Sequence, residues 1–193
     1  MTTAKNSPRE RILATAQRLF YRQGYRATGI NQIIEEAEVA KASFYRHFAS
    51  KDDLALAYLQ EIGRLSQCGC ESVLSDKSNP LEALLGLFDF IEQQFVESDF
   101  QGCPMQNLTS EISLQELQLH QAAVVDKKDH IKSDIQETVV ALRRGSAQHA
   151  QLDVEEVTNA LFLLVEGAMT TSRIYRDVWP FGAARQAAAS LLS

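Results

Sequence analysis

Long apolar stretches are missing from this chain. The longest uninterrupted one, Ala160 to Val165, is far shorter than the roughly 20 residues that a helix needs to cross a bilayer. The opening M-T-T-A-K-N-S-P-R-E-R has no apolar core of the kind a secretory leader carries, so a cytoplasmic location and no membrane partner are expected. Cysteine is scarce. Three residues without a leader predict free thiols in a reducing compartment, not a disulfide framework. Proline (four) and glycine (nine) are too sparse for a linker-rich or fibrous chain, and no stretch is low-complexity or repeated. Walker loops, G-x-S-x-G elbows and H-E-x-x-H pairs are all absent, so no enzyme activity and no cofactor are expected. Sustained period-two alternation is lacking as well, which predicts an all-α fold. What remains is an ordinary globular composition, 45% hydrophobic and 23% charged over 193 residues, enough to bury a real core.

The net charge of −6 is unevenly spread. Residues 1–60 carry nine Lys/Arg against six Asp/Glu, whereas residues 61–193 carry ten against nineteen. A basic head on an acidic body suits a protein whose head alone approaches phosphates, although chance clustering on solvated faces would look the same.

The head reads as short helices. Ser7-Pro8-Arg9-Glu10 combines a capping serine, a proline at the first helical position and the glutamate of a capping box. Ile12, Leu13, Ala16, Leu19 and Phe20 follow as one apolar stripe, and Gly24 is expected to close the helix in a left-handed conformation. Thr28 is expected to cap a second helix that buries Ile30, Ile33, Ile34 and Ala37. A third, Ala40 to Phe48, turns Phe44 and Phe48 inward, and Ser50 with Asp53 opens a fourth. Two short helices about three residues apart form the helix-turn-helix pattern. The residues left over on the third helix are Lys41, Ala42, Ser43, Tyr45, Arg46 and His47, small, basic or hydrogen-bonding and unneeded by the core. Such a helix fits the major groove: Ala42 and Ser43 allow close approach, while Tyr45, His47 and Lys51 offer donors to phosphates. A solvated face with an incidental aromatic is the alternative.

From Arg11 to Leu54 the chain resembles the DNA-binding domain of TetR-family repressors. The resemblance rests on A-x-x-L-F-x-x-x-G-Y, T-x-I-x-x-I-x-x-A and S-F-Y-x-H-F-x-S-K-x-x-L. It implies that Thr28, Lys41, Ala42, Ser43, Tyr45, His47 and Lys51 occupy the family's DNA-facing positions, and that double-stranded operator DNA is the partner. Glu38 stands in the turn where the family often has glycine, at a cost of about 1 kcal/mol if that position is left-handed, and Ala42 stands at another common glycine position.

Beyond Leu54 the pattern stays helical, which divides the chain into a helix-turn-helix domain, 1–54, and a helical sensing and dimerisation domain, 55–193. Leu54, Ala57, Tyr58, Ile62 and Leu65 continue a long stripe to Ser75-Asp76-Lys77-Ser78. Asn79-Pro80-Leu81-Glu82 repeats the cap, proline and box logic ahead of Leu84, Leu87, Phe88, Ile91 and Phe95. Gly102-Cys103-Pro104 breaks the chain and starts another helix. Two more are expected over 123–149 and 153–176, with Trp179-Pro180 ending the second and Ala183 to Leu192 forming the last. The family resemblance implies that the last two helices make a homodimer. Ala168 and Ala188 lie on their small-residue surfaces, although both helices could be core of one subunit.

A small-molecule or electrophile effector is the expected trigger. Phe88, Phe95, Phe100, Met105 and Leu108 either line an apolar cavity or are plain core. Cys103 is the more specific candidate: Pro104 reads as a first helical residue, which puts the thiol at a helix N-terminus. The stretch G-C-P-M-Q-N-L-T-S-E resembles a TetR branch that includes electrophile- and oxidant-responsive repressors, while a buried, merely packing cysteine is the alternative. Cys68 and Cys70, two apart on one helix, point to different faces and make a poor metal site. The pairs Glu116/His120 and Asp126/His130 have metal-ligand spacing but read more simply as ion pairs. The expectation is a repressor released from a palindromic operator by a small molecule or thiol modification. A ligand-independent DNA-binding protein and a helical-bundle enzyme are the rivals.

Overall fold

The computed structural model describes residues 7–76, 78–112 and 114–193, with the side chains of 114–120 excepted. Among these the chain forms nine α-helices, one 3-10 turn and no strand. They are α1 (Pro8–Gln23), α2 (Ile30–Glu36), α3 (Lys41–His47), α4 (Lys51–Leu74), α5 (Pro80–Glu97), α6 (Pro104–Glu111), α7 (Leu114–Gly145), α8 (Val154–Tyr175) and α9 (Trp179–Leu191). The all-α expectation holds.

Two compact units emerge. The first covers Met1–Gly63 and Pro104–Val124, the second Arg64–Cys103 and Val125–Ser193. In the first, α1 opens with the complete capping box: Ser7 Oγ accepts from the Glu10 amide at 3.3 Å, and Glu10 accepts from the Ser7 amide at 2.7 Å. Its stripe of Ile12, Ala16, Leu19 and Phe20 is buried with Ile33 of α2, Phe44 of α3 and Leu54, Ala55, Tyr58 and Leu59 of α4. The Phe20 ring meets Tyr25 and Tyr58 edge-on at 5.3 and 5.5 Å. Ser50 opens α4 as expected, accepting from the Asp53 amide at 3.0 Å and donating to its carboxylate at 2.9 Å.

Several local expectations are corrected. Thr28 does not cap α2. Gly29 holds that place without a side-chain bond, and the Thr28 hydroxyl donates back to the Gly24 carbonyl at 2.7 Å. Gly24 has the positive φ foreseen (96°), but its ψ of 158° is extended, not left-handed helical. Asn79 makes no side-chain capping bond either, because its backbone (φ −133°, ψ 71°) departs from the extended geometry that aims a cap at the helix. Leu65 leaves the buried stripe and is exposed, and the buried line of α4 passes through Cys70 and Leu74 instead. Trp179-Pro180 begins α9 and does not end α8, which stops at Tyr175 on a left-handed Arg176 (φ 54°, ψ 44°).

In the second unit, α5, α8 and α9 form the packed centre. Leu84, Leu87, Phe88, Ile91 and Phe95 are buried as foreseen, with Val157, Leu161, Val165 and Met169 of α8 and Phe181 and Ala184 of α9. Phe95 and Phe181 meet edge-on at 5.1 Å. Gly69 of α4 lets the Phe90 ring of α5 come so close that an added Cβ would lie 2.7 Å from it. Asp153 caps α8 through the Glu156 amide at 3.0 Å. Ala168 (4% exposed) and Ala188 (0%) are core of this unit and are not available to a partner. The outward face of α8 carries Leu163 and Ile174, 67% and 73% exposed, with Gly167 and Thr170 between them.

Candidate nucleic-acid interface

Seven residues make α3, and one of them anchors it. Phe44 is fully buried, with Phe48 just past the helix end beside it, ring centroids 6.2 Å apart. Around the inward Phe44, Lys41, Ala42, Tyr45, Arg46 and His47 are all exposed, while Ser43 is half-buried. The exposed side chains carry three basic groups and a phenol, and no carboxylate.

Lys51, the first residue of α4, is half-buried, and its ammonium lies 4.1 Å from the Tyr25 ring centroid. The Tyr25 hydroxyl in turn donates to Asp52 Oδ1 at 2.5 Å. This cluster binds the start of α4 to the turn after α1. A polar chain does the same for α1 and α2. Gln23 donates to Thr28 Oγ1 at 3.2 Å and to Gln32 Oε1 at 2.8 Å, Gln32 donates to Glu36, and Arg18 pairs with Glu36 at 2.5 Å. The hydrogen bond from Arg18, then that from Gln32, holds the Glu36 carboxyl below its ordinary value. Thr28 is 1% exposed, so its hydroxyl serves this internal network.

Phe88, Phe95 and Cys103 belong to the second unit and Met105 to the first, all four buried. Cys103 is 8% exposed and directly precedes α6, which starts at Pro104 as foreseen. The other two thiols do face different ways: Cys68 is exposed, and Cys70 is 3% exposed. Burial pushes the Cys70 thiol up to about 11; Asp134 and Cys103 add to the rise, while Lys128 and a hydrogen bond from Ser66 oppose it. Sequence reasoning passed over this neighbourhood because Lys128 and Asp134 lie on α7, far along the chain from Ser66 and Cys70 of α4. His130 Nδ1 lies 3.7 Å from the Asp126 carboxylate on the exposed side of α7 and bonds the Asp126 carbonyl at 2.5 Å, and Glu116/His120 lies outside the described side chains. Among the described residues no three His, Cys, Asp or Glu side chains cluster as a metal site. No helix among the described residues is long and apolar enough to cross a membrane.

A three-helix frame that turns an exposed basic helix outward defines a helix-turn-helix DNA-binding regulator. Comparison with known proteins makes this specific. The family profile of bacterial regulatory proteins, tetR family, matches residues 12–58. YxaF of Bacillus subtilis, a helix-turn-helix-type transcriptional regulator, is 28% identical over 180 residues, covering 92% of this chain and 91% of that protein. A TetR-type regulator from Streptomyces avermitilis is 30% identical, with a TM-score of 0.68 over 95% of this chain and 98% of that one. The Escherichia coli repressor NemR is 28% identical over 110 residues, 56% of this chain and 55% of NemR. The crystal structure of its reduced form superposes with a TM-score of 0.79 at 21% identity, over 97% and 98% of the two chains. The protein belongs to the TetR family of transcriptional regulators and is not an enzyme.

Proposed function

We propose that this protein is a repressor that binds a roughly palindromic operator as a homodimer and is released by an effector acting on its helical body. The observation that carries the reading is the outward face of α3, with Lys41, Ala42, Tyr45 and His47 exposed around a buried Phe44. Residues 1–54 do the reading of DNA, and 55–193 the sensing and dimerisation. Lys41, Ala42 and Ser43, at the start of α3, meet base edges, whereas Tyr45, His47 and Lys51 hold phosphates. Thr28 contributes from inside, keeping the turn before α2 in place through its bond to Gly24.

One helix-turn-helix reads half a site, so two copies must be held about 34–36 Å apart or a multiple of that. The exposed line of Leu163, Gly167, Thr170 and Ile174 on α8 supports pairing through α8 and α9, since the large apolar Leu163 and Ile174 have no cover within the subunit. The effector is a small apolar molecule taken up near Phe88, Phe95 and Met105, or an electrophile adding to Cys103. The existence of a reduced form of the related repressor NemR supports the second choice. Either event lowers operator affinity by its preference between two spacings of the heads, and by no more.

The test is selection of duplexes from a random pool at two salt concentrations. A twofold-symmetric motif whose affinity falls steeply with salt is expected. The absence of any preferred sequence would remove the operator reading. Challenge with N-ethylmaleimide then separates the effector choices. Cys103→Ser should stay bound where the unaltered protein and Cys68→Ser/Cys70→Ser are released. If Cys103→Ser is released as well, the thiol only packs and a non-covalent ligand is the better account.

A further inference from the structure

Glu111 closes α6 eight residues after Cys103, and its surroundings are specific. Its carboxylate accepts a hydrogen bond from the Arg26 main-chain N–H at 2.9 Å, and its own carbonyl accepts from the Arg26 guanidinium. The same carboxylate occupies the space beside Gly24: a Cβ there would lie 2.7 and 2.9 Å from the two oxygens. Gly24 and Arg26 frame the turn between α1 and α2. One step further on, the Gly24 carbonyl accepts from Thr28, and Thr28 accepts from Gln23. Glu111 therefore adds a brace from α6 to a turn of five residues between α1 and Gly29, which the Tyr25–Asp52 and Thr28–Gly24 bonds also hold. The alternation of polar groups in G-C-P-M-Q-N-L-T-S-E carries no hint of this, because the partner lies 85 residues away in the chain.

We propose that Glu111 is a positioning residue for DNA recognition: by bracing the 24–28 turn it fixes the direction in which α2, and with it α3, leaves α1. This rests on the reading of α3 as the recognition helix. The physical case is that a carboxylate bonded to a backbone amide is a charge-assisted contact, stronger than a neutral one. Here it restrains a turn whose glycine has a φ of 96° and so few steric restraints of its own. Loss of the brace frees the turn without removing any residue that touches DNA. It also gives α6, the helix that begins beside Cys103, a direct hold on the head.

Two readouts test this on the full chain, with Glu111→Ala and Glu111→Gln. Without DNA, hydrogen exchange at the Arg26 amide and at the amides of α2 should quicken in Glu111→Ala, while the middle of α1 keeps its protection. Glu111→Gln retains an acceptor but loses its charge and should fall between Glu111→Ala and the unaltered protein. With DNA, Glu111→Ala should bind the duplex selected by the unaltered protein about tenfold more weakly, as expected for one lost charge-assisted bond. Random duplex should be bound as before, because every phosphate-facing cation remains. Unchanged exchange at Arg26 and α2 overturns the brace whether or not α3 reads the operator. Equal loss on selected and random duplex overturns its role in recognition and leaves Glu111 a stabilising residue alone. The exchange arm is independent of DNA, so a failure of the operator reading and a failure of this proposal are told apart.

Discussion

Replacing Glu38 by glycine should stabilise the DNA-binding unit, and the geometry of the turn sets the size of the gain. Helix α2 ends on two bonds, Val39 N–H to the Ile34 carbonyl at 3.2 Å and Glu38 N–H to the Glu35 carbonyl at 3.0 Å. This pair is the Schellman motif, whose residue after the cap must be left-handed, and Glu38 is, at φ 52°. A residue with a Cβ held there costs about 1–2 kcal/mol. Glycine loses that strain but returns about 0.5–1 kcal/mol through the extra freedom of its unfolded chain. The net gain is about 0.5–1 kcal/mol, a rise of roughly 1–4 °C in melting temperature for a chain this size. Removing a carboxylate from the negative end of a helix adds a smaller gain of its own, which Glu38→Gln isolates. The assay is thermal unfolding of Glu38→Gly, Glu38→Gln and Glu38→Ala beside the unaltered protein. The backbone argument fails if Glu38→Gly melts no higher than the original, or if Glu38→Gln and Glu38→Ala rise as far as the glycine variant.

Three further outcomes follow from other parts of the molecule. Leu163→Glu or Ile174→Glu should leave far-UV circular dichroism intact and turn a dimer into a monomer by light scattering, whereas Ala188→Glu should unfold the second unit, since its side chain is fully buried. Cys70 titrates near 11 in the folded protein against an ordinary value near 9, so its contribution to stability is complete below pH 9 and is lost as pH rises from 9 to 11. Cys70→Ala should flatten that alkaline fall, worth on the order of 2 kcal/mol, and iodoacetamide at pH 8 should label the exposed Cys68 well before Cys70. Tyr45→Phe should weaken binding to selected and random duplexes alike, measured by fluorescence anisotropy, while Lys41→Ala should also change the selected sequence; identical selected sequences would move Lys41 from base edges to phosphates.

Much of this protein follows from its sequence alone. Ser7-Pro8-Arg9-Glu10, Ser50 with Asp53 and Asp153 with Glu156 start helices where they were expected, because a cap and its partner lie three residues apart and need nothing from the rest of the chain. The inward Phe44 and Phe48 were equally legible, since the spacing of apolar residues is itself the record of burial. The helix-turn-helix and its basic face follow from these two signals. Tertiary structure decided what depends on distant neighbours or on the hand of the backbone. Helices α2, α5 and α8 all stop on left-handed residues that are not glycine: Glu38, Asp99 and Arg176. The family resemblance had pointed to Glu38 alone; Asp99 and Arg176, which no local rule marks, pair at 2.8 Å across 77 residues of chain. Thr28 has the composition of a cap, yet its turn sends the hydroxyl to Gly24. Ala168 and Ala188 look in sequence like contact surface for a partner, and only the packing of α8 on α9 shows that they face inward while Leu163 and Ile174 face out. Glu111 is the furthest case. A carboxylate closing one short helix reads as a solvated charge until folding carries it to the Arg26 amide, because a hydrogen bond records where two atoms meet and not how many residues separate them.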